Sequence, residues 1–366
     1  MTYQELLAEA ISTGAFTGAQ LTVFRHGQLE VNDSFGYTDN SSSVPVVGST
    51  LFDYASVTKP FVALAMMSAA SEKGFDIGTE LSQVVPELGD SVHGGLSFAQ
   101  LLAHTTGQPR RFSRVVEAEA AFVMRDEPVL RRLDATVYEE RVGRLLEDLR
   151  TVDLLFQPGT RVAYTSIGYF LLGIAAERLC GEPLDQVLHE RILGPLGLDS
   201  VSYRPLDRVP DPLAYSATET CPWRGRMLRG EVHDEIAGFL GGVTGHAGLF
   251  GTSLDLASFG LAVAQHSLPS MPRAVLKATI QNRTGHLEGE NRGWGWLLNT
   301  PGGYMGNLAT SSAYGHTGFT GTSLLIDPGN KVVIALLTNR VHPSRADNRL
   351  MPIRKALHDW VITAVA

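Results

Sequence analysis

Apolar strand pairs lie near both ends of the chain, and that placement constrains the fold more than any other feature. Residues 19–24 (AQLTVF) and 28–36 (QLEVNDSFG) read as two strands, with Arg25-His26-Gly27 as the turn between them. Residues 321–327 (GTSLLID) and 331–338 (KVVIALLT) form a second pair around Pro328-Gly329-Asn330. A sheet drawing strands from both termini closes the chain into one α+β unit over residues 1–366, with no Pro- or Ser-rich linker to divide it. Residues 1–80 and 286–366 are expected to form a sheet lobe, and residues 81–285 a mostly helical lobe. Residues 1–12 read as an amphipathic helix, and residues 353–365 as a final helix with Leu357, Trp360 and Val361 on one face.

The charge pattern excludes several functions. The net charge is −8, and Arg110-Arg111 and Arg131-Arg132 are only short basic pairs. A nucleic-acid surface needs a concentrated basic face, which this chain lacks. No apolar run reaches the eighteen residues of a membrane span. The first residues carry Glu5 and Glu9 and no basic segment before an apolar run, so a cytoplasmic location is expected unless a leader was trimmed. Cys180 and Cys221 are too few for a disulfide framework and read as two unrelated thiols. No H-E-x-x-H or Cys–His spacing suggests a metal, and no cofactor is implied.

Three segments carry the chemistry. Ser56-Val57-Thr58-Lys59 opens an apolar run, Pro60 to Met67, that reads as a buried helix. Pro60 is tolerated only in the first turn, which sets Ser56 at or just before the helix start. Ser56 and Lys59 then share a face, a nucleophile with a base one turn away. The same residues also fit a plain N-cap with a solvated lysine, but a lysine opening a wholly apolar helix is an odd choice unless something there needs it. Tyr164 follows the Pro158-Gly159 turn and precedes a helix over 167–178. A phenol relays protons near neutral pH only with a cation beside it, and Lys59 is one. Tyr314-Gly315-His316-Thr317-Gly318-Phe319-Thr320-Gly321 leads into a strand, and its glycines allow close backbone approach to a ligand.

Taken in order, Ser56-x-x-Lys59, Tyr164-x-Ser166 and His316-Thr317-Gly318 resemble the three signatures of the class C β-lactamase, D-alanyl-D-alanine carboxypeptidase and related esterase group, the penicillin-binding-protein-like enzymes. Leu101 to Pro109 (LLAHTTGQP), Gly168 to Gly173 (GYFLLG) and Gly245 to Phe250 (GHAGLF) are similar to further stretches of that group. The resemblance implies a β-lactamase/transpeptidase-like fold: an antiparallel sheet flanked by helices, a helical lobe, and a cleft between lobes. It implies that Ser56 forms an acyl-enzyme, that Lys59 and Tyr164 share the general base, and that the backbone N–H groups of Ser56 and Phe319 form the oxyanion hole. Ser166, His316, Thr317, Gly318 and His246 become the substrate-binding set, for a small ester, amide or β-lactam.

Two departures from the family pattern bear on substrate choice. Serine stands at 166, where the family usually has an asparagine that hydrogen-bonds a substrate amide; serine is shorter and lacks the donor–acceptor pair. His316 stands where true β-lactamases carry lysine. A histidine mostly neutral at pH 7 is a weaker carboxylate partner, gaining charge on acidification toward pH 6. The expectation is an esterase-like serine hydrolase with weak action on β-lactams or D-Ala-D-Ala peptides. The alternatives are a carboxypeptidase- or endopeptidase-type penicillin-binding protein, or a catalytically silent ligand binder. An α/β-hydrolase is disfavoured because G-x-S-x-G is absent. His233-Asp234-Glu235 is either a substrate-side cluster or a loop that braces the lobe.

Overall fold

A computed structural model describes residues 2–40, 44–126 and 132–364. Six strands form its main sheet: β1 (Gly18–Arg25), β2 (Gln28–Gly36), β3 (Leu297–Leu298), β4 (Tyr314–Thr317), β5 (Ser323–Asp327) and β6 (Val332–Thr338). Their spatial order is β2-β1-β6-β5-β4-β3, and every neighbouring pair is antiparallel. The first and last strand pairs of the chain meet where β1 lies against β6, with Ala19 opposite Thr338 and Arg25 opposite Val332.

Period-two alternation explains why β6 is apolar throughout. Val332, Ile334 and Leu336 face one core, and Val333, Ala335 and Leu337 face the other. Both faces need a cover. Helix α1 (Tyr3–Ser12) and the C-terminal helix Leu350–Thr363 supply one, through Leu7, Leu357 and Val361. Helix Ser253–Ala264 covers the other through Leu256, Phe259 and Val263. A Cβ on its Gly260 would come within 2.8 Å of Val333, so only glycine lets the helix sit that close.

That third helix lies in the span 81–285 yet packs on the sheet, because the second apolar face of β5 and β6 requires a partner. The span also holds short strands, with Phe250–Gly251 pairing Phe52–Asp53 and Thr220–Cys221 pairing Arg226–Met227. The rest of it is largely helical, including Arg114–Asp126, Ala135–Arg150 and Ile167–Cys180. Helix α2 (Thr58–Lys73) is buried along its first thirteen residues, Thr58 to Ala70, and packs on Ile167–Cys180. It ends on Gly74 in the left-handed conformation. No helix among the described residues is long and apolar enough to cross a membrane. Cys180 and Cys221 are both free thiols.

Candidate active site

Ser56 sits in a single 3-10 turn, Ala55–Val57, that feeds into α2. Ala55 holds φ at +48°, a conformation that costs a non-glycine residue about 1–3 kcal/mol and persists only when its surroundings enforce it. They do so through buried Asp53, whose carboxylate accepts from the N–H of Ala55 (2.8 Å) and of His233 (2.7 Å). The turn aims Ser56 into the cleft and sends Lys59 into the interior, where its side chain is fully buried. Lys59 Nζ donates to Ser56 Oγ at 3.1 Å and to the carbonyl of His246 at 2.8 Å.

Tyr164 Oη lies 2.6 Å from Ser56 Oγ, and Lys59 Nζ stands 5.0 Å from the tyrosine ring centroid. Burial pushes the phenol up, but Lys59, the hydrogen bonds from Lys59 and Ser56, and Arg292 outweigh it, holding Tyr164 below its ordinary value. A phenol held this way gives up its own proton more readily, and the phenolate so formed, in contact with the Ser56 hydroxyl and a buried ammonium, can take the hydroxyl proton.

The LLAHTTGQP stretch holds the Tyr164 segment in place. The Ala163 N–H donates to the His104 carbonyl at 3.0 Å, and that of Thr165 to His104 Nδ1 at 3.3 Å. Thr165 Oγ1 reaches the Pro109 carbonyl (2.7 Å), and the Gly159 N–H reaches the Thr105 carbonyl (2.7 Å). The GHAGLF stretch docks on the helix that follows Tyr164: a Cβ on Gly245 would fall 2.0 Å from the Tyr169 carbonyl oxygen.

The third segment is pinned beside Ser56 from β4. Thr320 Oγ1 donates to the Asp53 carbonyl (2.7 Å) and Thr322 Oγ1 to that of Tyr54 (2.9 Å). A Cβ on Gly318 would lie 2.1 Å from Thr322 Oγ1 and 2.4 Å from the Tyr54 carbonyl, so this contact demands glycine. Phe319 is thereby brought to the cleft beside Ser56. No acceptor among the described residues takes the backbone N–H of Ser56 or Phe319, so both donors are open to an oxyanion. The Phe319 ring lies between the His233 ring (5.6 Å) and the Arg340 guanidinium (4.6 Å), and Arg340 Nε donates to its carbonyl at 2.8 Å.

The cleft runs both ways from Ser56. One end holds His316, Thr317 and Gly318 with Arg292, Arg340 and Arg354. The other holds Ser166, His233, Asp234, Glu235 and His246. His316 is buried with Nδ1 2.9 Å from the Thr317 carbonyl. Burial, then Arg292 and Lys59, push its pKa well below the ordinary value, which corrects the expectation that it gains charge near pH 6. Of the 233–235 cluster, His233 pairs with Glu219 (3.0 Å) and Glu235 with Arg345 (2.7 Å), the bracing arrangement, while Asp234 holds His246 at 2.8 Å.

Sequence reasoning missed two features. Arg292, buried with its guanidinium 5.5 Å from the Tyr164 centroid, sits in a Gly-Trp-rich stretch with no motif to flag it. Arg354 is buried on the C-terminal helix; an arginine among apolar positions of an amphipathic helix was the available signal. Among the described residues no His/Cys/Asp/Glu group has a metal-holding arrangement.

This fold and this cleft place the chain in a class: serine hydrolases built like β-lactamases. The Beta-lactamase family model matches residues 4–358, and the chain belongs to that family. It is 29% identical over 348 residues to an Escherichia coli K12 protein named "Putative D-alanyl-D-alanine carboxypeptidase", covering 88% of this chain and 78% of the relative. It is 29% identical over 375 residues to "N-acetylmuramyl-L-alanine amidase" of Bacillus subtilis, covering 92% and 80%. Among solved structures, "EstCE1, a hydrolase with promiscuous acyltransferase activity" superposes with a TM-score of 0.74 at 20% identity over 97% of both chains. A penicillin-binding protein homologue from Caulobacter crescentus has the same TM-score at 20% identity, covering 99% of this chain and 96% of its own.

Proposed function

We propose that this enzyme cleaves a small ester or amide through an acyl-enzyme on Ser56. Tyr164, as the phenolate that the Lys59 ammonium stabilises, takes the Ser56 proton as Oγ bonds to the substrate carbonyl carbon. The carbonyl oxygen gathers negative charge between the N–H groups of Ser56 and Phe319. When the tetrahedral adduct collapses, the bond to the leaving group breaks and Tyr164 returns the proton to that group. Water then attacks the acyl-serine by the same proton path, giving the acid and free Ser56. The observation that carries this reading is the contact set at Ser56 Oγ: Tyr164 Oη at 2.6 Å and Lys59 Nζ at 3.1 Å.

The leaving group would lie at the His316 end, and the arginines there favour one bearing a carboxylate. Arg340 donates to the carbonyls of Phe319 and Asp347 but to no carboxylate among the described residues. Arg354 is buried, its Nε has no partner, and burial lowers its pKa to about 10. These cations compensate for the neutral histidine at the head of the third segment, so carboxylate-bearing peptides or depsipeptides become substrates alongside simple esters. The test is hydrolysis of p-nitrophenyl esters, a D-Ala-D-Ala peptide and its C-terminal methyl ester by wild type and Ser56→Ala. Loss of all turnover in the variant is expected, and retained turnover refutes the assignment.

A further inference from the structure

The acyl end of the cleft contains a pair of acceptors that no protein group uses. His246 is 2% exposed, and its Nε2 lies 2.8 Å from Asp234 Oδ1. That oxygen also accepts the Ala237 N–H at 2.9 Å, capping the helix Glu235–Phe239. Burial pushes the Asp234 carboxyl up, but the His246 ring and other neighbours outweigh it and hold it below the usual carboxylate range. An ionised carboxylate only accepts, so in the neutral imidazole the proton sits on Nε2 and Nδ1 is left as a bare lone pair. Nδ1 is buried without a partner, and its ring lines the same cavity as Ser56 and Ser166. Asp234 Oδ2 makes no hydrogen bond among the described residues, and the Asp234 side chain is 33% exposed.

A buried acceptor with no partner costs about 1–3 kcal/mol, so one kept beside a reactive serine calls for a donor from outside the chain. One amide N–H satisfies only one of the two acceptors. An ammonium brings three donors and a charge opposite to that of Asp234. Most of the other charges at this end are already paired, and Arg110, on the same cavity wall, is the exception among the described residues. Arg345 is held by Glu219 and Glu235, His233 pairs with Glu219, and Arg111 lies 4.0 Å from Glu117. Ser166 lines the same cavity wall as His246, and its short side chain reaches neither His246 Nδ1 nor Asp234 Oδ2.

We propose that Asp234 and His246 form an amine subsite, so that the acyl part of the preferred substrate carries a primary ammonium: an aminoacyl ester or amide. This rests on the reading of Ser56 as the acylated residue. The test compares methyl esters of both alanine enantiomers, of propionate and of N-acetylalanine, each kcat/KM divided by the ester's own alkaline hydrolysis rate. The better alanine enantiomer should exceed propionate and N-acetylalanine at least tenfold. Asp234→Asn, which keeps a good helix cap, and His246→Phe should each bring that ratio close to one. A wild-type ratio near one, or a ratio that survives both substitutions, overturns the amine subsite. Fluorophosphonate labelling of Ser56 and turnover of the propionate ester report on the hydrolase reading separately, so either can fail without the other.

Discussion

Two buried histidines mark the two ends of the cleft, and their neighbours give them opposite surroundings. His246 leans on the carboxylate of Asp234, whereas His316 leans on the backbone carbonyl of Thr317 and is flanked by Arg292 and Lys59. Each ring has one nitrogen without a partner. At the His246 end the nearest formal charge is negative, and at the His316 end it is positive. The two ends therefore differ in charge: Arg292, Arg340 and Arg354 face Glu290 alone at the His316 end, whereas at the His246 end Arg110, Arg111 and Arg345 are matched by Glu117, Asp234 and Glu235. Residue type alone carries none of this; what each histidine is bonded to decides it.

The largest effect should come from the shared centre, where the two ends do not differ. Tyr164→Phe and Lys59→Ala should each lower kcat on the order of 10²–10⁴-fold, the range of a positioned general base. The double variant should lose far less than the product of the two, because residues acting as a unit are not additive. Stopped-flow or steady-state rates on one ester provide the cycle, and simple multiplicativity would assign the two residues to separate jobs.

A smaller effect should separate the ends. Arg340→Gln should lower kcat/KM for the D-Ala-D-Ala peptide roughly tenfold relative to its methyl ester, if about 1.4 kcal/mol of carboxylate attraction is lost. An unchanged ratio would show the cationic end to be structural. Because His316 stays neutral, the KM ratio of the same two substrates should be flat between pH 7.5 and 6. A ratio that shifts toward the peptide on acidification would restore His316 as a titrating carboxylate partner.

Buried neutral histidines also predict the acid sensitivity of the fold. Burial depresses His104 and His316 well below 6.5 and His358 to about 3. Below pH 6.5 the unfolded chain binds protons at these rings that the folded chain refuses, so stability is full above that pH and falls as pH drops below it. Each ring contributes about 1.4 kcal/mol per pH unit in that window. Urea melts at pH 7.5, 6 and 5 should show the decline, and His358→Gln should make it shallower. Identical pH slopes for the variant and wild type would mean that His358 protonates in place.

Much of this was legible in the sequence, for physical reasons. The strand pairs at the two termini carry alternation and turn residues that survive any tertiary context, and they join in one sheet. Ser56, Lys59, Tyr164 and the His316–Phe319 segment were visible as candidates because each sits at a fixed spacing next to a helix start or a glycine turn, and the structure brings them together. The position of Ser253–Ala264 against the sheet was not visible, since an apolar helix does not declare which apolar surface it covers. Arg292 and Arg354 were hidden for a similar reason: an arginine in a loop or on an amphipathic helix looks solvated until its burial is known. The pairing of Asp234 with His246 joins residues twelve apart across a helix and a loop, and no periodicity links them.

The central claim is that Ser56 is the residue that becomes acylated. Intact-mass analysis after incubation with a fluorophosphonate should show a single covalent adduct, and peptide mapping should place it on Ser56. Tyr164→Phe should slow its formation, and Ser56→Ala should abolish it without a large change in the urea midpoint. An adduct mapped to any other residue, or full labelling of the alanine variant, would contradict the account.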